Sequence, residues 1–300
     1  MRVLVTGAAG RLGTAVLAEL ALREVPVTAL VASGDVAGAR LPHADTEAGL
    51  PHADRVVAGD AGDPAVVADA LDGVSAVIHT AALASPELAA PEVVFGANTR
   101  ATFVTLNEAG ERGVERAVIA SSLSITGLPF ARTRRHPSYL PLDERTPFQI
   151  EDPYALSKQV DEATAAMMHL RHGMTVAALR FPYLGDPARL GARAEQLARD
   201  PEVGAADMWS YLDLRDAARA CVLAVTEPLS GSPVMFVAAP ETLMATPTRE
   251  LLDAHHPGVP CRKSLAGRTV AIDLEPAQRL LGFTARYLYQ PPQHHEEGRP

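Results

Sequence analysis

Tyr154 and Lys158 stand four residues apart in the run Tyr154-Ala155-Leu156-Ser157-Lys158, and Lys158 is one of two lysines among 27 basic residues, the rest being arginines. With six tyrosines in 300 residues, that spacing arises by chance about 0.04 times in such a chain. On a helix, side chains at i and i+4 lie above one another on one face, so a phenol would stand beside a compact cation. A phenol ordinarily titrates near 10, and exchanging protons near neutrality needs a depression of about 3 units, or roughly 4 kcal/mol of preferential phenolate stabilisation. A close ammonium supplies that kind of stabilisation. The pair therefore reads as acid/base chemistry.

A second constellation lies at the amino end, where Thr6-Gly7-Ala8-Ala9-Gly10-Arg11-Leu12-Gly13 follows a strand-like run and precedes a helical one. Glycines so spaced let the backbone turn sharply and approach a pyrophosphate, which then faces the helix N-terminus. Gly7, Gly10, Arg11, Leu12 and Gly13 are the candidates. The acid expected after the second strand to grip an adenosine ribose is replaced by Ala32-Ser33, with Asp35 slightly beyond. This leaves NAD and NADP both open: Asp35 is placed to reach ribose hydroxyls, and Arg11 or Arg40 to pair with a 2′-phosphate.

Further groups fall at the carboxyl ends of later strands. Asp60 and Ala61 in Gly59-Asp60-Ala61-Gly62-Asp63, and Thr80, Ala81 and Ala82 after His79, are placed to line a cofactor crevice. Asp60 is a candidate acceptor for an adenine amino group, with helix capping as the alternative, a role that suits Asp63-Pro64 better. His79 reads as a packed, hydrogen-bonded histidine. Ser122 is the candidate to hold a substrate oxygen, with Ser121 and Ser124 as rivals and turn chemistry as the competing explanation.

The elements that position these groups alternate. Strands are predicted over 2–6, 27–31, 55–58, 76–80, 116–120 and 175–180, and helices over 12–22, 64–71, 92–112 and 153–172. This is the signature of an α/β fold with a doubly wound parallel sheet. After residue 180 the rhythm weakens. The chain divides into a dinucleotide-binding unit over 1–180, to which 205–240 returns, and a smaller C-terminal substrate-binding lobe from 181–204 and 241–290, with a strand near 234–238, a helix over 275–281 and a disordered tail over 291–300. A Gly/Pro/Ala/Asp-rich loop carries Leu-Pro-His-Ala-Asp twice, at 41–45 and 50–54, and reads as a flexible insertion rather than a metal site.

A net charge of −9 and a pI near 5.6 argue against a nucleic-acid partner. The short basic run Arg132 to Arg135 reads as a solvated loop, with contact to an anionic substrate as the alternative. Cys221 and Cys261 form no ligand spacing or disulfide framework and fit a reducing cytoplasm. No apolar run approaches 18 residues and a strand begins at once, so a soluble cytoplasmic protein without a membrane partner is expected. His169 and His172 complement a helix C-terminus better than they bind a metal.

In order along the chain, the glycine loop 7–13, Gly59-Asp60, His79-Thr80-Ala81-Ala82, Asn98, Ser121-Ser122 ending at Gly127, the Tyr154–Lys158 run, Leu179-Arg180-Phe181-Pro182, Tyr211-Leu212-Asp213-Leu214-Arg215-Asp216 and Leu280-Leu281-Gly282-Phe283 resemble the extended short-chain dehydrogenase/reductases, also called the NAD-dependent epimerase/dehydratase family. The resemblance implies a Rossmann sheet and an NAD or NADP cofactor. It implies Tyr154 as general acid/base, Lys158 as ribose ligand that lowers the tyrosine pKa, and Ser122 as the group orienting the substrate oxygen. It also implies Asn98 as support for the site, and Phe181, Pro182 and Tyr183 beside the nicotinamide. A homodimer through the helices 92–112 and 153–172 is implied as well. Leu123-Ser124 stands where the family's dehydratases carry an Asp-Glu pair, which argues against dehydration. Only about 25 residues separate Pro187 from Tyr211, too short a connection for the nucleotide-sugar members, so the chain resembles the uronate and aldose dehydrogenase branch. An oxidoreductase acting on a small polar, sugar-like substrate is expected. The alternatives are an epimerase with tightly held NAD and a non-catalytic dinucleotide sensor.

Overall fold

The structure, a computed structural model, describes residues 1–32 and 50–291, together with two-residue strands at 35–36 and 39–40. The second copy of the duplicated pentapeptide lies within them, and its Asp54 accepts from the Val27 amide at 2.7 Å, tying the loop to the start of a strand. The first copy, the side chains of Asp35 and Arg40, and residues 292–300 fall outside the described residues.

The chain runs β1 (Val3–Thr6), α1 (Arg11–Leu22), β2 (Val27–Val31), β3 (Asp35–Val36), β4 (Ala39–Arg40), β5 (Arg55–Ala58), α2 (Pro64–Ala70), β6 (Ala76–His79), α3 (Pro91–Glu111), β7 (Arg116–Ser122), a 3-10 turn (Leu123–Thr126), α4 (Pro153–His172) and β8 (Thr175–Phe181). It continues through β9 (Tyr183–Gly185), α5 (Pro187–Arg199), a second 3-10 segment (Pro201–Asp207), β10 (Tyr211–Asp213), α6 (Leu214–Thr226), β11 (Val234–Phe236), α7 (Thr248–His255) and α8 (Glu275–Leu281). Seven strands form one parallel sheet in the order β11-β8-β7-β6-β1-β2-β5. Its inner strands are apolar runs because both faces are covered. Alternation splits them between two cores: Val3 and Val5 pack under α1 and α6, while Leu4 packs towards α2, α3 and α4. This is the expected Rossmann arrangement.

Register decides what meets at the carboxyl edge. Thr6 pairs with His79, His79 with Ile119, and Ser122 with Phe181. The ends of β1, β6, β7 and β8 therefore open on one crevice. β7 runs to Ser122, two residues past its predicted end, because those residues pair with Arg180 and Phe181.

Of the returning segment 205–240, α6 packs on α1 and the main sheet. Of its strands, only β11 joins that sheet; β10 pairs instead with β9 in a separate parallel pair. The Arg/Ala/Pro-rich stretch after Pro187 is the helix α5, started by Asp186, whose side chain accepts from the Arg189 amide, with Pro187 in its first turn. Between α5 and β10 the chain reverses through Met208 and Trp209, consecutive left-handed residues with φ 56° and 51°. Trp209 is wholly buried and donates its indole N–H to the Pro201 carbonyl at 2.7 Å, which holds this uncommon backbone in place.

Candidate active site

The glycine loop is shaped by what it touches. Gly7 has φ 65°, and a Cβ on it would sit 2.7 Å from the Ala81 nitrogen, so β6 and its following turn press directly on the loop. Helix α1 begins at Gly10 with no side-chain cap and no acidic residue in its first turn. Its exposed amide donors and dipole face the crevice, an arrangement that suits an anion.

Above this cradle lies a cavity of about 490 Å³ whose wall includes Gly7, Gly10, Arg11, Leu12, Gly13, Asp60, Ala61, Thr80, Ala81, Ala82, Asn98, Ser122, Tyr154, Lys158, Phe181, Pro182 and Tyr183. The cavity thus gathers these candidates into one space, while Asp35 and Arg40, the alternatives for the ribose and its 2′-phosphate, lie outside the described side chains. Asp60 also accepts from the Gly62 amide at 2.7 Å, while Asp63 caps α2 through the Ala65 amide.

The start of α4 carries the acid/base candidates. Asp152 caps it through the Ala155 amide, with Pro153 at its first position. Tyr154 is buried, its ring edge-on to Phe130 with centroids 6.0 Å apart. The Lys158 Nζ lies 5.8 Å from the centre of the Tyr154 ring and 3.1 Å from Asp161 Oδ2. Burial opposes the charge on Lys158, but Asp161 and Tyr154 outweigh it, and the lysine pKa is raised.

His79, as read from sequence, is packed and hydrogen-bonded: Nδ1 lies 2.8 Å from the Thr6 hydroxyl and Nε2 3.1 Å from that of Thr102. Burial first, and then Lys158, lower its pKa to about 3, so the ring is neutral at physiological pH.

The three serines separate. Ser121 donates to Glu162 at 2.6 Å, which commits its hydroxyl to α4. Ser122 caps the 3-10 turn by accepting from the Ser124 amide at 3.1 Å, and its Oγ lies 2.9 Å from Ser124 Oγ. The turn chemistry and the hydroxyl at the crevice are the same residue. Asn98 donates to the Leu83 carbonyl at 3.1 Å and to Ser157 Oγ at 3.1 Å, and accepts from the Leu83 amide at 2.8 Å. It clamps the segment after β6 to α4 beside the acid/base pair.

Behind Ser121, Glu162 takes both arms of Arg180 at 2.9 and 2.8 Å, and that guanidinium lies over Phe148 and Phe236. Removing one member of a buried pair strands the other charge. Glu162→Ala is expected to cost about 3–5 kcal/mol in denaturant-induced unfolding.

Beyond β8 the wall continues through Leu184, Arg189, Asp207 and Leu214. Arg189 and Arg193 both lie over the Tyr183 ring. Asp207 pairs with Arg193 at 3.2 Å, yet burial outweighs this and pushes its carboxyl up to about 6. Neither Arg189 nor Asp207 was marked by sequence, because α5 and the second 3-10 segment meet only in the folded lobe. The Arg132–Arg135 run lies off the cavity: Arg134 pairs with Glu202 at 2.6 Å, and Arg135 with Glu151. Cys221 is buried, which raises its thiol to about 12, and Cys261 is half-buried; both are free. His169 Nδ1 lies 3.1 Å from the Met174 carbonyl at the end of α4.

Residues 3–239 match the NAD dependent epimerase/dehydratase family. The chain belongs to this family. Among solved structures of the same fold, MoeE5 in complex with UDP-glucose and NAD is 25% identical, with a TM-score of 0.67 over 96% of this chain and 94% of that one. A short-chain dehydrogenase/reductase superfamily protein from Agrobacterium tumefaciens with bound NAD is 24% identical, with a TM-score of 0.69 over 96% and 93%. A mutated uronate dehydrogenase is 21% identical, with a TM-score of 0.64 over 95% and 82%. Sterol demethylase protein B of Methylococcus capsulatus is 29% identical over 150 residues, spanning 50% of this chain and 43% of that protein. The epimerase/dehydratase match ends before α7 and α8. No helix among the described residues is long and apolar enough to cross a membrane.

Proposed function

We propose that the chain is an NAD(P)-dependent oxidoreductase that moves a hydride between a nicotinamide and a secondary alcohol, hemiacetal or carbonyl of a small, polar, sugar-like molecule. The observation that carries this reading is the opening of one cavity on a glycine cradle at one end and on Tyr154, Lys158 and Ser122 at the other. The cradle fits a dinucleotide, since a Cβ at Gly7 or Gly13 would fill the space where backbone meets backbone. Gly7, Gly10, Arg11, Leu12 and Gly13 would hold the pyrophosphate, Asp60 and Ala61 the adenine, and Thr80, Ala81 and Ala82 the ribose and phosphates. Phe181, Pro182 and Tyr183 would flank the nicotinamide. When bound, the dinucleotide supplies the carbon that gains or loses hydride.

The chain's own residues handle the proton. Tyr154 Oη takes it from the substrate hydroxyl or returns it, and the Lys158 ammonium favours the phenolate that this exchange requires. Ser122, oriented by Ser124, holds the substrate oxygen. Phe130 packs edge-on against the Tyr154 ring, an apolar wall beside that point. The lobe formed by β9, α5 and β10 closes the substrate end with Tyr183, Arg189 and Asp207, a polar lining suited to a polar molecule.

A second reading, an epimerase that oxidises and re-reduces its substrate on a retained cofactor, has the match to the NAD dependent epimerase/dehydratase family behind it. The short β9–β10 connection favours the first. A panel of sugars, sugar acids and alcohols offered with NAD and with NADP separates them: net nicotinamide reduction supports a dehydrogenase, and an isomeric product without it supports an epimerase. Neither outcome in any combination would remove both.

We further read α3 and α4 as a homodimer face, since both helices leave large apolar side chains exposed, Phe103 on α3 and Leu156 and Leu170 on α4. Sedimentation is expected to give a dimer at micromolar concentration, and a monomer there counts against this face.

A further inference from the structure

Asp161 is a buried acid for which the chemistry above has no use. It sits on α4 three residues after Lys158, with both side chains almost fully enclosed. Oδ2 takes the Lys158 ammonium at 3.1 Å. An ordinary i,i+3 pair on an exposed helix face contributes little. Here α3 lies across α4 and shuts water out, so each charge depends on the other.

The surroundings leave Asp161 as the closest counter-ion. On α4 itself, Glu162 faces the other way into Arg180 and Ser121. Burial pushes the Asp161 carboxyl above the usual carboxylate range, and what favours its charged form against this is first the Lys158 ammonium and then the Thr102 hydroxyl from α3. From β6, His79 reaches Thr102 as a neutral ring and adds no second positive charge. The centre of the Tyr154 ring lies 5.8 Å from the ammonium. A lysine buried without a counter-ion sheds its proton, and a neutral amine can no longer stabilise a phenolate.

We propose that Asp161 is a positioning residue: its carboxylate clamps the Lys158 ammonium, keeping that buried lysine charged and aimed at Tyr154. The proposal rests on the hydride-transfer reading only for its consequence in turnover. The clamp can be read without substrate or dinucleotide, because the chain has only two lysines. In protein carrying isotopically labelled lysine, the two ζ-nitrogen resonances are told apart with Lys263→Arg, and the Lys158 signal is followed as pH rises.

The wild-type Lys158 is expected to lose its proton above the usual lysine range. In Asp161→Asn it is expected to do so at least about one pH unit below the wild type, and Asp161→Glu should recover most of the difference. Should Asp161→Asn not fold, Asp161→Ser removes the same charge and is read in the same way. A Lys158 titration that stays at the wild-type position in the folded charge-free variant overturns the clamp. In turnover, the high-pH limb of kcat for alcohol oxidation should move down with the lysine. A lysine that shifts while this limb stays fixed overturns the link to Tyr154. Absence of turnover in the wild type with every substrate offered bears on the hydride-transfer reading and leaves the lysine titration intact as a test.

Discussion

Tyr154→Phe is expected to lower turnover by about 100- to 10,000-fold, the range carried by a positioned acid or base. The substitution removes one oxygen and leaves the ring. Its edge contact with Phe130 and its place at the start of α4 depend on carbon atoms and on the Asp152 cap, so the fold should persist. Dinucleotide affinity should stay within tenfold, or about 1.4 kcal/mol, because the cradle is built from the ends of β1 and β6 rather than from the phenol. Stopped-flow turnover beside calorimetric binding of NAD and NADP checks both halves. A variant that turns over at the parent rate removes Tyr154 from the chemistry. One that loses both binding and turnover shows that the phenol supports the cofactor rather than the proton.

The second large effect belongs to Gly13→Ala. A Cβ there would lie 2.7 Å from Ala8 Cα and closer still to the Gly7 carbonyl oxygen, and neither backbone atom has room to retreat while Gly7 is pressed against Ala81. The new methyl must therefore lever α1 away from the loop. Overpacking of this kind costs about 1–3 kcal/mol of stability, and displacement of the helix N-terminus should weaken dinucleotide binding at least tenfold, about 1.4 kcal/mol. Gly96→Ala provides the contrast: a Cβ at this exposed site in α3 meets nothing within 4 Å, so a gain of up to about 1 kcal/mol is expected. Unfolding midpoints and binding isotherms of the two variants decide the matter, and equal behaviour would contradict the cradle as drawn.

The sheet and the juxtaposition of Tyr154 with Lys158 were legible in sequence because their signals are local. Strands buried on both faces are short apolar runs bounded by turn residues, and a Tyr and a Lys four apart on one helix need no knowledge of the rest of the chain. Ser122 was harder. It differs from Ser121 in the partner of its hydroxyl, Ser124 against Glu162, and sequence lists neither partner. Asp161 was invisible for a different reason: an acid three residues after a lysine looks like a solvated surface pair until α3 is laid across it. The lobe was read least well. The Asp186-Pro187 start of α5 was present as a signal, but arginine-rich composition hid it, and the pairing of β9 with β10 joins segments whose apolar content is too brief to advertise a strand.

The strand order has a consequence for how the molecule is made. β1, β2, β5 and β6 pair among themselves, and all lie within the first 79 residues. The amino-terminal half of the sheet, with its glycine loop, can therefore close on the ribosome before Tyr154 or Lys158 has been translated. β7, β8 and β11 then add outward on the other side of β6, in the order in which they emerge. The nascent chain thus has its glycine loop before Tyr154 and Lys158, and the final strand to dock, β11, seals an edge far from that loop. Synthesis and the geometry of the crevice run in the same direction.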